Sequence, residues 1–149
     1  MTKTYHKPMH TAEHILNQIM LKDYTKARSF TTHIEKKKSK VDYHFDRNLT
    51  DDELLDIQNK VNKIIDSSLD VTENFLSYAE AAKDFNLEKL PADAGNKIRI
   101  INIGNFDSCP CIGQHVKNTN EIGKFKIISS SFNENVLRLR FKLEHNIEK

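Results

Sequence analysis

Little in this chain is of the kind that builds linkers, disulfide frameworks or membrane anchors. Only 3 of its 149 residues are proline and 4 glycine, and no Pro/Gly/Ser-rich stretch, internal repeat or low-complexity tract interrupts it. That argues against a hinge between domains, and 149 residues is one ordinary domain's worth of chain, so residues 1–149 read as a single unit. The 2 cysteines, Cys109 and Cys111, have only Pro110 between them. A mutual disulfide at that spacing would be badly strained, so reduced thiols are expected, available to a metal. The first residues, Met1 to His6, contain no apolar core, and no apolar run is long enough to cross a bilayer. No membrane partner and a cytoplasmic location are therefore expected. An excess of one sign of charge is missing too: 23 basic residues stand against 21 acidic ones, a net charge of +2. Any affinity for nucleic acid must come from local patches rather than a global field.

What is present is a sequence of periodicities that reads as an α+β domain. Ala12, Ile15, Leu16, Ile19 and Met20 recur at helical spacing behind Pro8, which suits a first turn, and predict a helix over about 8–24. Residues 30–34 and 41–45 look like two strands of a hairpin joined through the basic stretch Lys36-Lys37-Lys38-Ser39-Lys40. Thr50 with Glu53 three residues on makes a capping box, followed by the apolar stripe Leu54, Ile57, Val61, Ile64 and Ile65 of a second helix. A strand over 71–76, a short helix over 78–85, a turn over 91–95, and strands over 97–103, 125–128 and 137–143 complete the order. The expected architecture is an antiparallel sheet with hairpins packed on two main helices, the basic side of the last strand facing water.

Two motifs carry chemistry. In His10-Thr11-Ala12-Glu13-His14 a spacing of four puts two imidazoles on one helical face, where they can share a metal ion. The bland reading is a pair of surface or packing histidines. On a helical wheel, however, both lie opposite the apolar stripe and so face something other than the core. In Cys109-Pro110-Cys111-Ile112-Gly113-Gln114-His115 a thiolate and an imidazole sit in a compact loop, with Gly113 allowing a tight turn; a buried thiol beside an incidental histidine is the competing reading. Together the two segments favour a tetrahedral zinc site. A zinc metalloprotease motif would place Glu directly after the first His, whereas Glu13 directly precedes the second. Glu13 is the candidate catalytic carboxylate, able to orient a ligand or a water, against the plainer reading of a solvated helix residue.

The residues 10–16, Phe45-Asp46, Leu49 to Leu54, Cys111-Ile112-Gly113-Gln114-His115-Val116 and 121–127 resemble, in order, the alanyl-tRNA synthetase editing domain and its freestanding AlaX relatives. The resemblance implies a zinc-dependent aminoacyl-tRNA hydrolase that removes serine, or else glycine, wrongly attached to the tRNA for alanine. It implies that His10, His14, Cys111 and His115 hold Zn2+, and that Thr32, with Thr31 beside it, reads the mischarged side chain; ordinary strand formers are the competing reading of the two threonines. Since catalytic zinc keeps one position open, one ligand is expected to be loose, with His115 either standing back from the ion or displaced by substrate. Where the synthetase pattern has Gly-Gly-Thr between Cys and His, this chain has Ile112-Gly113-Gln114. Cys109 lies outside the pattern and reads as an auxiliary ligand, a redox-sensitive thiol or a small buried residue. If tRNA is the partner, the lysines Lys36, Lys37, Lys38 and Lys40 are the candidates for phosphate contact, although a lysine run by itself is usually a solvated loop. A zinc-stabilised RNA-binding module without hydrolysis, or editing of a different aminoacyl-tRNA, are the other functions this sequence admits.

Overall fold

The computed structural model describes residues 6–85, 87 and 97–144. The expected turn over 91–95 lies outside them. Helix α1 (Lys7–Met20) starts where His6 caps it, its Nδ1 accepting the Met9 N–H at 3.2 Å, with Pro8 in the first turn. The α-helix ends earlier than its periodicity suggests. Leu21–Thr25 continue as a single wider π turn that buries no residue, and Lys26 terminates it in the left-handed region at φ 62°.

Helix α2 (Asp51–Asp66) begins at the expected capping box: Thr50 Oγ1 accepts the Glu53 N–H at 3.1 Å and Glu53 returns the bond to the Thr50 N–H at 2.9 Å. Three acidic residues in its first turn complement the helix dipole. Ile57, Val61 and Ile65 are buried, while Leu54 and Ile64 pack at the margin. Helix α3 (Tyr78–Asp84) is short and covers a satellite cluster of Ala81, Ile98 and Ile100.

The strands are β1 (Thr31–His33), β2 (Ser39–His44), β3 (Val71–Ser77), β4 (Lys97–Ile103), β5 (Asp107–Pro110), β6 (Lys124–Asn133) and β7 (Val136–Glu144). They form two antiparallel sheets, ordered β1-β2-β7-β6 and β3-β4-β5. Helices α1 and α2 lie against the four-stranded sheet around one main core, in which Met9, Ile15, Leu16, Tyr43, Ile57, Phe125 and Phe141 are fully buried. Each such side chain contributes roughly 1.5–3 kcal/mol of transfer free energy. Thr119 ties the smaller sheet to this core, accepting the Leu69 N–H at 2.9 Å and donating to the last carbonyls of α2.

Further details depart from the sequence expectation, among them the length of β6, which runs well past the expected 125–128. Strand β5 was not anticipated, because Asp-Ser-Cys-Pro has neither alternation nor β-branched residues. Ser39 and Lys40 belong to β2 rather than to the hairpin loop, since Ser39 is buried and its hydroxyl closes the loop onto Glu35. The basic side of β7 is half-buried rather than bathed in water: Arg138 makes a two-pronged ion pair with Asp42 across the β2–β7 register.

Candidate metal centre

Helix α1 carries His10 and His14 one turn apart on the face turned away from the core. The segment from β5 to Val116 folds over that face and brings Cys111 and His115 to it, although the two halves are about 100 residues apart in sequence. One donor atom from each of His10, His14, Cys111 and His115 falls within a set whose members all lie within 4.8 Å of one another. Zinc–ligand bonds of 2.0–2.3 Å require tetrahedral edges of about 3.3–3.8 Å. The Cys111 Sγ to His10 Nε2 separation, 3.6 Å, already matches such an edge. The widest pair, within 4.8 Å, needs to close by about 1.5 Å or less to reach one.

Hydrogen bonding on the far side of the imidazoles sets which nitrogen faces the centre. His10 Nδ1 lies 3.3 Å from the Gln114 carbonyl, an acceptor only, so Nδ1 carries the proton and Nε2 the lone pair. Thr11 Oγ1 has one proton, which it donates to the Lys7 carbonyl at 3.1 Å; it accepts from the Val116 N–H at 3.2 Å. Its 3.0 Å contact with His115 Nδ1 must therefore be a bond donated by the histidine. His115 Nε2 is left buried and without a hydrogen-bond partner, aimed at the same centre. A buried, unsatisfied nitrogen costs about 1–3 kcal/mol, and a metal ion relieves that cost. His115 does not line the cleft above, yet one of its ring nitrogens belongs to the clustered set.

Burial tunes every donor. It holds His14 well below its ordinary value, with the neighbouring His115 and His10 adding to the effect, pushes His115 down to about 3, and lowers His10. All three imidazoles are neutral near pH 7, the state in which they ligate metals. Burial raises the Cys111 thiol, opposed by the Gly113 N–H, which donates to Sγ at 3.4 Å. Cys109 is pushed up to about 12, again chiefly by burial, which keeps it a thiol near pH 7.

Two residues hold the loop in place, of which Arg99 gave no sign in the sequence. Arg99, from β4, donates to the Cys111 and Gly113 carbonyls at 3.1 and 2.7 Å and fixes their path. Gly113 is required for space: a Cβ there would overlap the His10 ring.

A cleft of ≈ 620 Å³ opens above the centre, with His10, His14 and Cys111 on its floor and Thr32 on its wall. Glu13 is not a solvated helix residue. It is 7% exposed, roofed over because residues 29–32 cross its face, and its Oε1 lies 3.9 and 3.8 Å from Nε2 of His10 and His14. Its Oε2 accepts from Asn17 and, at 3.5 Å, from the Thr32 hydroxyl. Thr32 is also bonded to Ser29 Oγ at 2.8 Å, and Tyr43 OH anchors Asn17 at 2.7 Å. Thr31, on the opposite face of β1, is exposed and absent from the cleft lining. Lys36, Lys37 and Lys38 are exposed in the hairpin loop beyond Glu35, whereas Lys40 is half-buried in β2 opposite His33 and Arg140.

The family model for the threonyl and alanyl tRNA synthetase second additional domain matches residues 98–140. The alanine–tRNA ligase of Fervidobacterium nodosum is 35% identical over 123 residues, which cover 82% of this chain and 14% of that protein. The alanine–tRNA ligase of Borreliella afzelii is 31% identical over 122 residues, covering 80% and 20%. That of Staphylothermus marinus is 36% identical over 107 residues, covering 70% and 12%. The chain thus spans a fifth or less of the length of these ligases.

Proposed function

Because the chain belongs to the alanyl-tRNA synthetase-related editing-domain family, we propose that it is a zinc-dependent hydrolase of the ester bond in mischarged tRNA for alanine, acting in trans on the seryl form. The observation that carries this reading is the convergence of His10, His14, Cys111 and His115 beneath a cleft whose wall presents the Thr32 hydroxyl. On this reading residues 1–149 form one editing domain, the partner is the aminoacylated end of a tRNA, and the protein works in the cytoplasm.

His10, His14 and Cys111 would hold the ion, Cys111 giving up its proton to do so, with His115 as the fourth donor that yields its position to water or substrate. Bound zinc polarises a carbonyl oxygen and lowers the pKa of a water toward about 7. The Glu13 carboxyl, facing the same space as the two histidine Nε2 atoms, orients the attacking water and takes its proton. Thr32 reads the side chain. Its proton goes to Glu13 and it receives one from Ser29, so its remaining lone pair accepts from the serine hydroxyl. An alanyl group leaves that position unfilled, which weakens binding by about 1–3 kcal/mol. A first-pass synthetase pocket discriminates between such small side chains by only about 1–3 kcal/mol, so a second site multiplies the selectivity. The exposed Lys36, Lys37 and Lys38 supply the electrostatic attraction for tRNA phosphates.

The deciding experiment is the hydrolysis of seryl-, glycyl- and alanyl-charged tRNA for alanine by zinc-loaded and chelator-treated protein. Zinc-dependent loss of the seryl form is expected. Turnover of none of the three by the loaded protein refutes the hydrolase and leaves a zinc-stabilised RNA-binding module.

A further inference from the structure

Among the described residues, three buried side-chain atoms lack a hydrogen-bond partner: His115 Nε2, His14 Nδ1 and Asp107 Oδ2. The first faces the proposed metal position. The other two face each other at 3.9 Å, inside a region where His14 is 4% and Asp107 3% exposed. Two adjacent polar atoms left unsatisfied in a dry interior, one able to donate and one able only to accept when ionised, are a hydrogen bond that a movement of about 1 Å completes.

Asp107 is well placed to act on His14. It sits at the start of β5, paired with Ile103 of β4, and its Oδ1 is gripped by Arg28 Nη2, so the carboxylate has one oxygen committed and one free. Arg28 comes from the connection between α1 and β1, so the pair also braces that connection against β5. The other two histidines of the cluster have their outer nitrogens held by the Gln114 carbonyl and the Thr11 hydroxyl. His14 alone has no such bond. We propose that Asp107, held by Arg28, is a positioning residue for the metal centre: its Oδ2 accepts the Nδ1–H of His14 and so keeps the Nε2 lone pair of that ring turned toward the ion. The inference rests on the metal reading above. It adds a carboxylate to the site that neither motif contains, and partners of this kind commonly set metal affinity by 10- to 100-fold.

The test has two arms. Long-range nitrogen–proton NMR of the metal-free native protein reads the tautomer of His14 directly; the Nδ1–H form is expected, and the Nε2–H form would overturn the proposal. In the second arm the zinc affinity of native and Asp107→Asn proteins is compared by competition with a chromophoric chelator. An amide at this position can donate to Nδ1 and drive the proton to Nε2, so affinity should fall roughly 10- to 100-fold. A folded Asp107→Asn protein that keeps native affinity within about twofold sinks the proposal, because so small a change is well below the 10- to 100-fold that such partners control. If the variant does not fold, the tautomer of the native protein decides alone. Failure of the native protein to bind zinc at all counts against the metal reading, and the tautomer arm then still tests the Asp107–His14 bond.

Discussion

The state of the four donors predicts an unusual pH dependence for metal uptake. Zinc requires neutral imidazoles and a thiolate. Three exposed histidines at the ordinary value of 6.5 would each be about 90% protonated at about pH 5.5, and protons would compete with the metal on the order of 10³-fold in total. Here burial has already removed most of that competition: His115 titrates at about 3 and His14 well below 6.5. Cys111, raised above 9.0, remains a thiol throughout this range and must lose its proton on binding. Metal uptake should therefore release about one proton, and affinity should fall about tenfold per pH unit, or roughly 100-fold between about pH 7.5 and 5.5. An exposed donor set would lose on the order of 10⁵-fold over the same span. Calorimetry in buffers of different ionisation enthalpy counts the protons, and chelator competition gives the slope. A slope approaching that of the exposed set refutes the buried-donor argument, and release of two protons would make Cys109 a second thiolate ligand.

Four further outcomes follow from the same structure. Replacing Gly113 by alanine drives a Cβ into the His10 ring, so zinc affinity in chelator competition should drop by at least about tenfold, with a loss of about 1–3 kcal/mol in denaturant melts. Thr32→Val keeps shape but removes the hydroxyl; kcat/KM for the seryl substrate should fall by about 1–3 kcal/mol while that for the alanyl substrate stays put, and equal losses would argue against a reading role. Neutralising Lys36, Lys37 and Lys38 together should lower the salt-dependence slope of tRNA binding by about 3, one per phosphate contact, and an unchanged slope would remove these lysines from the interface. The metal-free fold should also be acid-sensitive. Histidines lowered in the native state bind more protons when unfolded, so their contribution to stability is complete above about pH 6.5 and is lost as pH falls from there toward about 3. Thermal melts of metal-free protein across that interval test this; a Tm that rises on acidification would reverse the sign.

The parts of this molecule that were legible in the sequence are those whose signal is local. Thr50 and Glu53 announce α2 because both ends of the capping box lie within one turn, and His10 and His14 share a face because they are four positions apart. What periodicity does not carry is the identity of whatever covers the polar face of a helix. Glu13 reads as solvated on a helical wheel, yet residues 29–32 cross above it. Asp107 gives no local sign of its role either, since its partner Arg28 is 79 residues away and His14 further still. Strand β5 exists because β4 offers it a register, with Ile101 opposite Cys109 and Ile103 opposite Asp107, and four residues including a proline hold little preference of their own.

The wide sequence separation of the two halves of the centre gives it a place in time. His10 and Cys111 are 101 residues apart, and Thr11 and His115 are 104. During synthesis at roughly 5–20 residues per second, the histidine pair on α1 waits about 5–20 s before its complement has been added to the chain. Until then each half offers only two donors. A metal seated across them closes a loop of about 100 residues, a constraint that in a cross-linked chain corresponds to about 4–5 kcal/mol of denatured-state entropy. On the metal reading, capture of the ion therefore waits for the segment after β5 to dock on α1, and an occupied centre certifies that these two parts of the chain have met.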